Sequence, residues 1–294
     1  MKTLVISFIV ASFLLFACNE NKKIKALKIF YDDIGNKIEL TRNPERIISA
    51  APNLTEIIFA IGAGDLLVGR TSFCNYPDEV NKIQIIGDML HFNFEKIVEL
   101  KPDLIFLTVE GNTKELYDKL KSLGIQVYVT NPRDLNGILN TISNLGIILN
   151  RKQKADSLIN SIKKSLNEIS AMKFKKRKAI FVVSFSPLII AGRNTFINEM
   201  MEKVNLENIA PENSVSAYPI ISREEILDKN PEVIIIPKGN YTLNDILKIY
   251  PEWQNLSAIK KQKIIYVDQD LFFRPGPRFI QAIKVLSHEL FNYN

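Results

Sequence analysis

One pattern occurs twice in this chain, and it dictates a duplicated architecture. Asn93-Phe94-Glu95-Lys96-Ile97-Val98-Glu99-Leu100-Lys101-Pro102-Asp103-Leu104-Ile105-Phe106 aligns without gaps on Ser222-Arg223-Glu224-Glu225-Ile226-Leu227-Asp228-Lys229-Asn230-Pro231-Glu232-Val233-Ile234-Ile235. Each copy reads as a cap, a short helix, a Pro-acid break and an apolar strand. Asn93 and Ser222 are good N-caps, and Ser222 with Glu225 has the spacing of a capping box. A glutamate in a first turn is favoured by the helix dipole by about 0.3–1 kcal/mol. Spacing alone therefore leaves a purely structural account of Glu95 and Glu224 open.

Around these copies, short β-rich runs alternate with helical patterns. In the first half, strands are expected over 46–50, 67–71, 104–108 and 125–130, with helices over 55–61, 95–100, 113–123 and 135–149. The second half repeats the scheme with strands at 179–185, 233–237 and 264–268 and helices at 196–204, 224–228 and 278–291. Such alternation predicts mainly parallel sheets flanked by helices. Between the halves, residues 151–172 contain neither Pro nor Gly. Ala155, Leu158, Ile159, Ile162, Leu166 and Ile169 make one apolar stripe opposite a Lys-rich face. The stripe fits an ordinary surface helix or a strut joining two lobes. The α/β fold is thus expected as an N-terminal lobe over 27–149, a connecting helix over 150–173 and a C-terminal lobe over 174–294.

The start of the chain sets the compartment. Lys2 precedes an apolar run from Leu4 to Phe16, and its length of about 13 residues falls short of the roughly 20 needed to span a bilayer. A positive start, a short apolar stretch and a small residue make a secretory signal over 1–17. Leu15-Phe16-Ala17-Cys18 resembles the bacterial lipobox, which implies a lipidated Cys18 on a polar tether over 18–26, anchored in the cell envelope and exported. Cys74 is then the one remaining thiol, so the fold stands on its core rather than on disulfides.

The composition, 46% hydrophobic and 24% charged, excludes a disordered chain and a polytopic membrane protein. A net charge of +6 with scattered basic residues argues against nucleic acid as a partner. Enzyme motifs are missing: there is no zinc-protease helix pair, no nucleophile elbow, no phosphate-binding Gly-Lys-Ser/Thr loop and no Gly-x-Gly-x-x-Gly. With His91 and His288 as the only histidines, a clustered-imidazole metal site is not expected. His91 fits either a plain loop residue or a haem ligand; His288 fits a residue of the terminal helix. What the chain does carry is aromatic residues in turns: Phe73, Tyr76, Phe185, Tyr218, Phe272 and Phe273, the last two beside Arg274. Loops leaving strand ends of an open α/β sheet are where ligands bind.

Arg46-Ile47-Ile48-Ser49-Ala50-Ala51-Pro52-Asn53-Leu54-Thr55-Glu56 through Gly62-Ala63-Gly64-Asp65, then Val68-Gly69, Phe73-Cys74-Asn75-Tyr76-Pro77, the two repeated segments and Arg274-Pro275-Gly276-Pro277-Arg278, carry a resemblance over nearly all of the mature chain. They are similar to the substrate-binding proteins of ABC importers for vitamin B12, siderophores and haem. The resemblance implies two α/β lobes joined by a rigid helix, a cleft for a metal chelate, no catalysis, no resident cofactor or metal, and a monomer. It also implies docking of one glutamate per lobe, Glu95 and Glu224, on arginines of a permease dimer that works with ATPase subunits. By position Phe73, Phe185, Tyr218 and Phe272 or Phe273 are the implied pocket aromatics, and with Tyr76, Met89 and Arg274 they make up the candidate ligand-binding residues. The segments look most like cobalamin binders, although Met89 and Thr108 stand where those often have tryptophan and the only tryptophan, Trp253, lies elsewhere. A cobalamin or corrinoid is the first expectation, with a ferric siderophore or haem next and a cell-envelope α/β hydrolase as the remote alternative.

Overall fold

The computed structural model describes residues 28–239 and 241–291; the expected leader, the tether and Cys18 lie outside them. The described chain opens on an antiparallel hairpin of β1 (Lys28–Tyr31) and β2 (Lys37–Leu40). Next come β3 (Ile47–Ser49), α1 (Pro52–Ala60), β4 (Leu67–Arg70), α2 (Phe94–Leu100), β5 (Leu104–Thr108), α3 (Lys114–Ser122), β6 (Val127–Thr130) and α4 (Leu135–Ile148). The long α5 (Lys152–Ser170) leads into β7 (Arg177–Phe185), β8 (Leu188–Ile190), α6 (Phe196–Glu202), β9 (Leu206–Asn208), α7 (Arg223–Lys229) and β10 (Val233–Pro237). The chain finishes with α8 (Leu243–Ile249), α9 (Ser257–Lys260), β11 (Ile264–Val267), α10 (Gln269–Phe272) and α11 (Phe279–Phe291).

Two sheets result. The first has the order β4-β3-β5-β6, every pairing parallel. In the second, β11, β10, β7 and β9 are parallel, while β8 folds back antiparallel on β7. β5 and β10 are buried along their whole length, as strands covered on both faces must be.

Period-2 alternation then divides the side chains between layers. Ile48, Ile105 and Leu107 face an outer layer completed by Ile97 of α2. Ile180, Ile234 and Ile236 face the corresponding layer of the second sheet, which contains Trp253. The opposite faces, with Ile47, Phe106, Phe181 and Ile235, join one continuous core with helices from both halves: Leu54 and Ile57 of α1, Ile142 of α4, Ile162 of α5, Met200 of α6 and Ile283 of α11. The two sheets therefore share their largest apolar layer. Close packing across that layer resists relative displacement of the sheets.

The expected strut is α5. Ala155, Ile162 and Ile169 are buried, and Leu158, Ile159 and Leu166 pack partly against the same core. α4 and α5 meet at Gly146, where a Cβ would sit 2.4 Å from the Ala155 Cβ, an atom that cannot rotate away. We expect Gly146→Val to destabilise the fold by about 1–3 kcal/mol through overpacking. Chemical denaturation checks this; an unchanged midpoint would contradict the close approach.

The repeated segments fold alike. Asn93 accepts from the Lys96 amide and Ser222 from the Glu225 amide. Both helices end on a left-handed residue, Lys101 and Asn230, ahead of the proline. The capping box expected at Ser222 forms only by half, because the Glu225 side chain turns to Lys229 at 2.7 Å. The reciprocal box occurs instead at Thr242 and Asp245, at the start of α8.

Candidate ligand cleft

The carboxyl ends of parallel strands from both sheets converge on one cavity of about 470 Å³. Pro52 and Asn53 follow β3, Phe73 follows β4, Thr108 ends β5, and Glu110 and Gly111 come just after it. From the second half come Val183 of β7, Tyr218, and Gln269, Asp270, Phe273, Arg274 and Pro275 after β11. Strand carboxyl ends are where open α/β sheets hold ligands.

Local chemistry fixes each wall. Buried Arg70 donates to the carbonyls of Val80 (2.9 Å), Thr71 (3.2 Å) and Cys74 (2.9 Å), which folds the loop that presents the exposed Phe73. Cys74 is buried beneath that loop, where Thr55 Oγ1 donates to its sulfur at 3.1 Å. Asn112 donates to the carbonyls of Ala50 (3.1 Å) and Met89 (2.9 Å) and accepts from the Thr108 amide (2.9 Å), holding Met89 beside the end of β5. Tyr218 is pinned on the other side, where Gly192 donates to the Ala217 carbonyl (2.8 Å) and Ile190 to that of Pro219 (3.1 Å).

Beside the cleft, a charge cluster ties the halves together. The Glu56 carboxylate on α1 is 1% exposed and accepts from Arg274 Nη1 at 3.0 Å and from Arg278 at 2.8 and 2.6 Å. Arg274 also donates to Asn75 (2.7 Å), to the Phe73 carbonyl (3.2 Å) and to Asp270 (2.7 Å). Both of its terminal nitrogens are thus committed. The hydrogen bond to Glu56 raises the Arg278 pKa, and Arg278 lies over the Tyr76 ring, 4.1 Å from its centroid.

Two titratable groups face the cavity without such partners. Glu110 keeps contact with solvent, yet the walls around it raise its pKa, and Arg133 only partly opposes them. Removal of water raises the Tyr218 hydroxyl as well, helped by the charge of Glu110.

Of the residues singled out from the sequence, Phe73, Met89, Tyr218, Phe273 and Arg274 come together on this cavity. Three do not. Tyr76 lies in a second cavity of about 480 Å³ between α1, α5 and α11, which shares no lining residue with the first. Phe185 is buried against Tyr241, Tyr250 and Trp253, because the register shift between Val182 and Ser184 turns it to the face opposite Val183. Phe272 is fully buried on Phe181, since a single turn of α10 points it inward and leaves its neighbour Phe273 for the cleft. His91 is exposed and paired with Asp88 outside the cavity, and His288 is exposed on α11. Glu95 and Glu224 are exposed in the first turns of α2 and α7. No cluster of three or more potential metal ligands occurs among the described residues, and no helix among them is long and apolar enough to cross a membrane.

Sequence reasoning gave no role to Glu56, Asn112 or Glu110. Glu56 had a signal: it is the single charge inside the apolar run from Leu54 to Ala60, where burial demands a partner. Nothing in the local pattern marks Glu110.

Two α/β halves with a shared core and a cleft at their strand ends define a receptor for small ligands. The chain belongs to the periplasmic binding protein family, whose model matches residues 47–271. It is 30% identical over 281 residues to the ABC transporter substrate-binding lipoprotein YvrC of Bacillus subtilis strain 168, a match spanning 92% of this chain and 88% of that one. To the vitamin B12-binding protein of Salmonella paratyphi A it is 32% identical over 254 residues, 85% of this chain and 91% of the relative. The crystal structure of the periplasmic vitamin B12 binding protein BtuF of Vibrio cholerae superposes with a TM-score of 0.73 at 28% identity, covering 85% of this chain and 98% of that one.

Proposed function

We propose that this protein captures a corrinoid, cobalamin by preference, between its halves and delivers it unaltered to an ABC permease dimer powered by ATPase subunits. A lipid on Cys18 would hold the exported protein in the bacterial cell envelope. The observation that carries the ligand is the charge state of the cleft. Arg274 is the only cation among the described residues that line it, and both its terminal nitrogens are already bonded within the protein. Phe73, Met89, Tyr218 and Phe273 supply the apolar contact. A haem brings two carboxylates, and a catecholate ferric siderophore brings net negative charge; both would meet Glu110 and no uncommitted cation. A chelate of no net charge with an amide rim meets less of that penalty. The relatives named for vitamin B12 support the same choice.

Isothermal titration of the chain from residue 27 onward with cyanocobalamin, ferric hydroxamate and catecholate siderophores, and haemin tests this reading. Saturation by cyanocobalamin is expected, with no chemical change in the recovered ligand. Saturation by haemin or a siderophore alone would replace the corrinoid assignment, and turnover of a chromogenic ester would favour a hydrolase. Glu95 and Glu224 are proposed as the permease contacts, because each is exposed at the same place in a repeated helix and neither lines the cleft.

A further inference from the structure

The polar groups of the cleft divide into two sets. Arg274, Asp270 and Asn75 bond to one another and to Glu56. Thr108, Glu110 and Tyr218 have no such closure. The Thr108 hydroxyl is buried, in a residue only 4% exposed, and has no hydrogen-bond partner. Glu110 forms no ion pair within 4.0 Å among the described residues; Arg133, on the loop after β6, acts on it only at longer range. Tyr218 lines the same cavity from the second half of the fold, whereas Thr108 and Glu110 line it from the first. A buried hydroxyl with no partner destabilises the protein alone. That defect disappears if a ligand group brings the missing partner, and Glu110, exposed on the same cavity without an ion pair among the described residues, can accept from the same group.

The chemistry of that group follows from the inventory. A carboxylate only accepts, so Glu110 calls for N–H donors, while each hydroxyl can donate or accept. A primary carboxamide offers two N–H donors and a carbonyl acceptor on one planar unit. A ligand carboxylate would place like charge beside Glu110.

We propose that Thr108, Glu110 and Tyr218 form a carboxamide-reading subsite that selects amide-bearing ligands over their carboxylate counterparts, with Glu110 as the specificity-determining residue. This rests on the corrinoid reading above and adds to it the groups that read the ligand's edge.

The test compares cyanocobalamin with its monocarboxylic acids, in which one peripheral amide is hydrolysed, on the wild type, Glu110→Gln, Glu110→Lys and Thr108→Val at neutral pH. A hydrogen bond to a charged group is worth enough that the wild type should favour the amide over at least one of the acids by about tenfold or more. Glu110→Gln should reduce that ratio and Glu110→Lys should abolish or invert it. Thr108→Val has a second readout: removing an unpartnered buried hydroxyl should raise the melting temperature while weakening cyanocobalamin binding several-fold. A merely structural threonine would not move the two in opposite directions. If corrinoids bind but Glu110→Lys keeps the wild-type amide-to-acid ratio, the subsite is overturned and the receptor reading stands. If no corrinoid binds the wild type, both are overturned.

Discussion

Glu56→Ala is expected to destabilise the protein by about 3–5 kcal/mol, the usual loss when one partner of a buried charge cluster is removed. At roughly 2–4 °C per kcal/mol for a chain of this size, that lowers the melting temperature by about 6–20 °C. The reason lies in what is left behind. The Arg274 and Arg278 side chains, 11% and 17% exposed, would keep their charges in the seam between the halves without a counter-charge. Asp270 would still pair with Arg274 but forms no ion pair with Arg278 among the described residues. Because Glu56 raises the Arg278 pKa, this part of the stabilisation is complete at every pH below the ordinary arginine value and is lost only as pH rises through the higher folded value. The deficit of the variant should therefore stay flat from neutral to moderately alkaline pH. Thermal melting across that range checks both statements; a loss under about 1 kcal/mol would mean that the guanidiniums find solvent when the carboxylate goes.

That cluster also shows where the sequence stops being informative. The alternation of buried strands and helices was legible because β5 and β10 are almost wholly apolar, β7 carries an apolar run from Ala179 to Val183, and α5 keeps its stripe over its whole length. The helix expected from Thr55 begins at Pro52, whose fixed φ suits a first turn. The hairpin β1–β2 was missed because each strand is only four residues long and half polar. What no local pattern carries is which faces meet. Period 2 would keep Phe185 with Val183, and one register shift reverses it. Phe272 and Phe273 are chemically equivalent in sequence, yet one turn of helix assigns one to the core and the other to the cleft. Glu56 and Arg278 are far apart in the chain and acquire their role only when α1 packs beside the turn into α11. Glu110 is conspicuous only once its walls are in place.

The repeated helices carry the second large effect, on transport rather than on stability or affinity. Glu95→Ala combined with Glu224→Ala should leave ligand affinity within about twofold, because neither side chain lines the cleft, and should change stability by no more than about 1 kcal/mol per site, the scale of a first-turn dipole contact. Uptake of ligand by cells or vesicles carrying the cognate permease should nevertheless fall by more than tenfold. α2 precedes β5 and α7 precedes β10, so each helix starts near the strand ends that form the cleft. Both carboxylates therefore sit toward the edge from which ligand must leave. On the proposed docking role, two like charges at equivalent places on a two-part molecule would complement a permease dimer bearing two basic patches, and such complementarity governs orientation and encounter rate. Each single variant should retain part of the uptake, since one contact still orients the complex. Charge reversal, Glu95→Arg with Glu224→Arg, should be at least as damaging as the double alanine. Normal uptake by the double alanine variant, with ligand binding intact, would move the docking role to other residues while leaving the cleft and its ligand untouched.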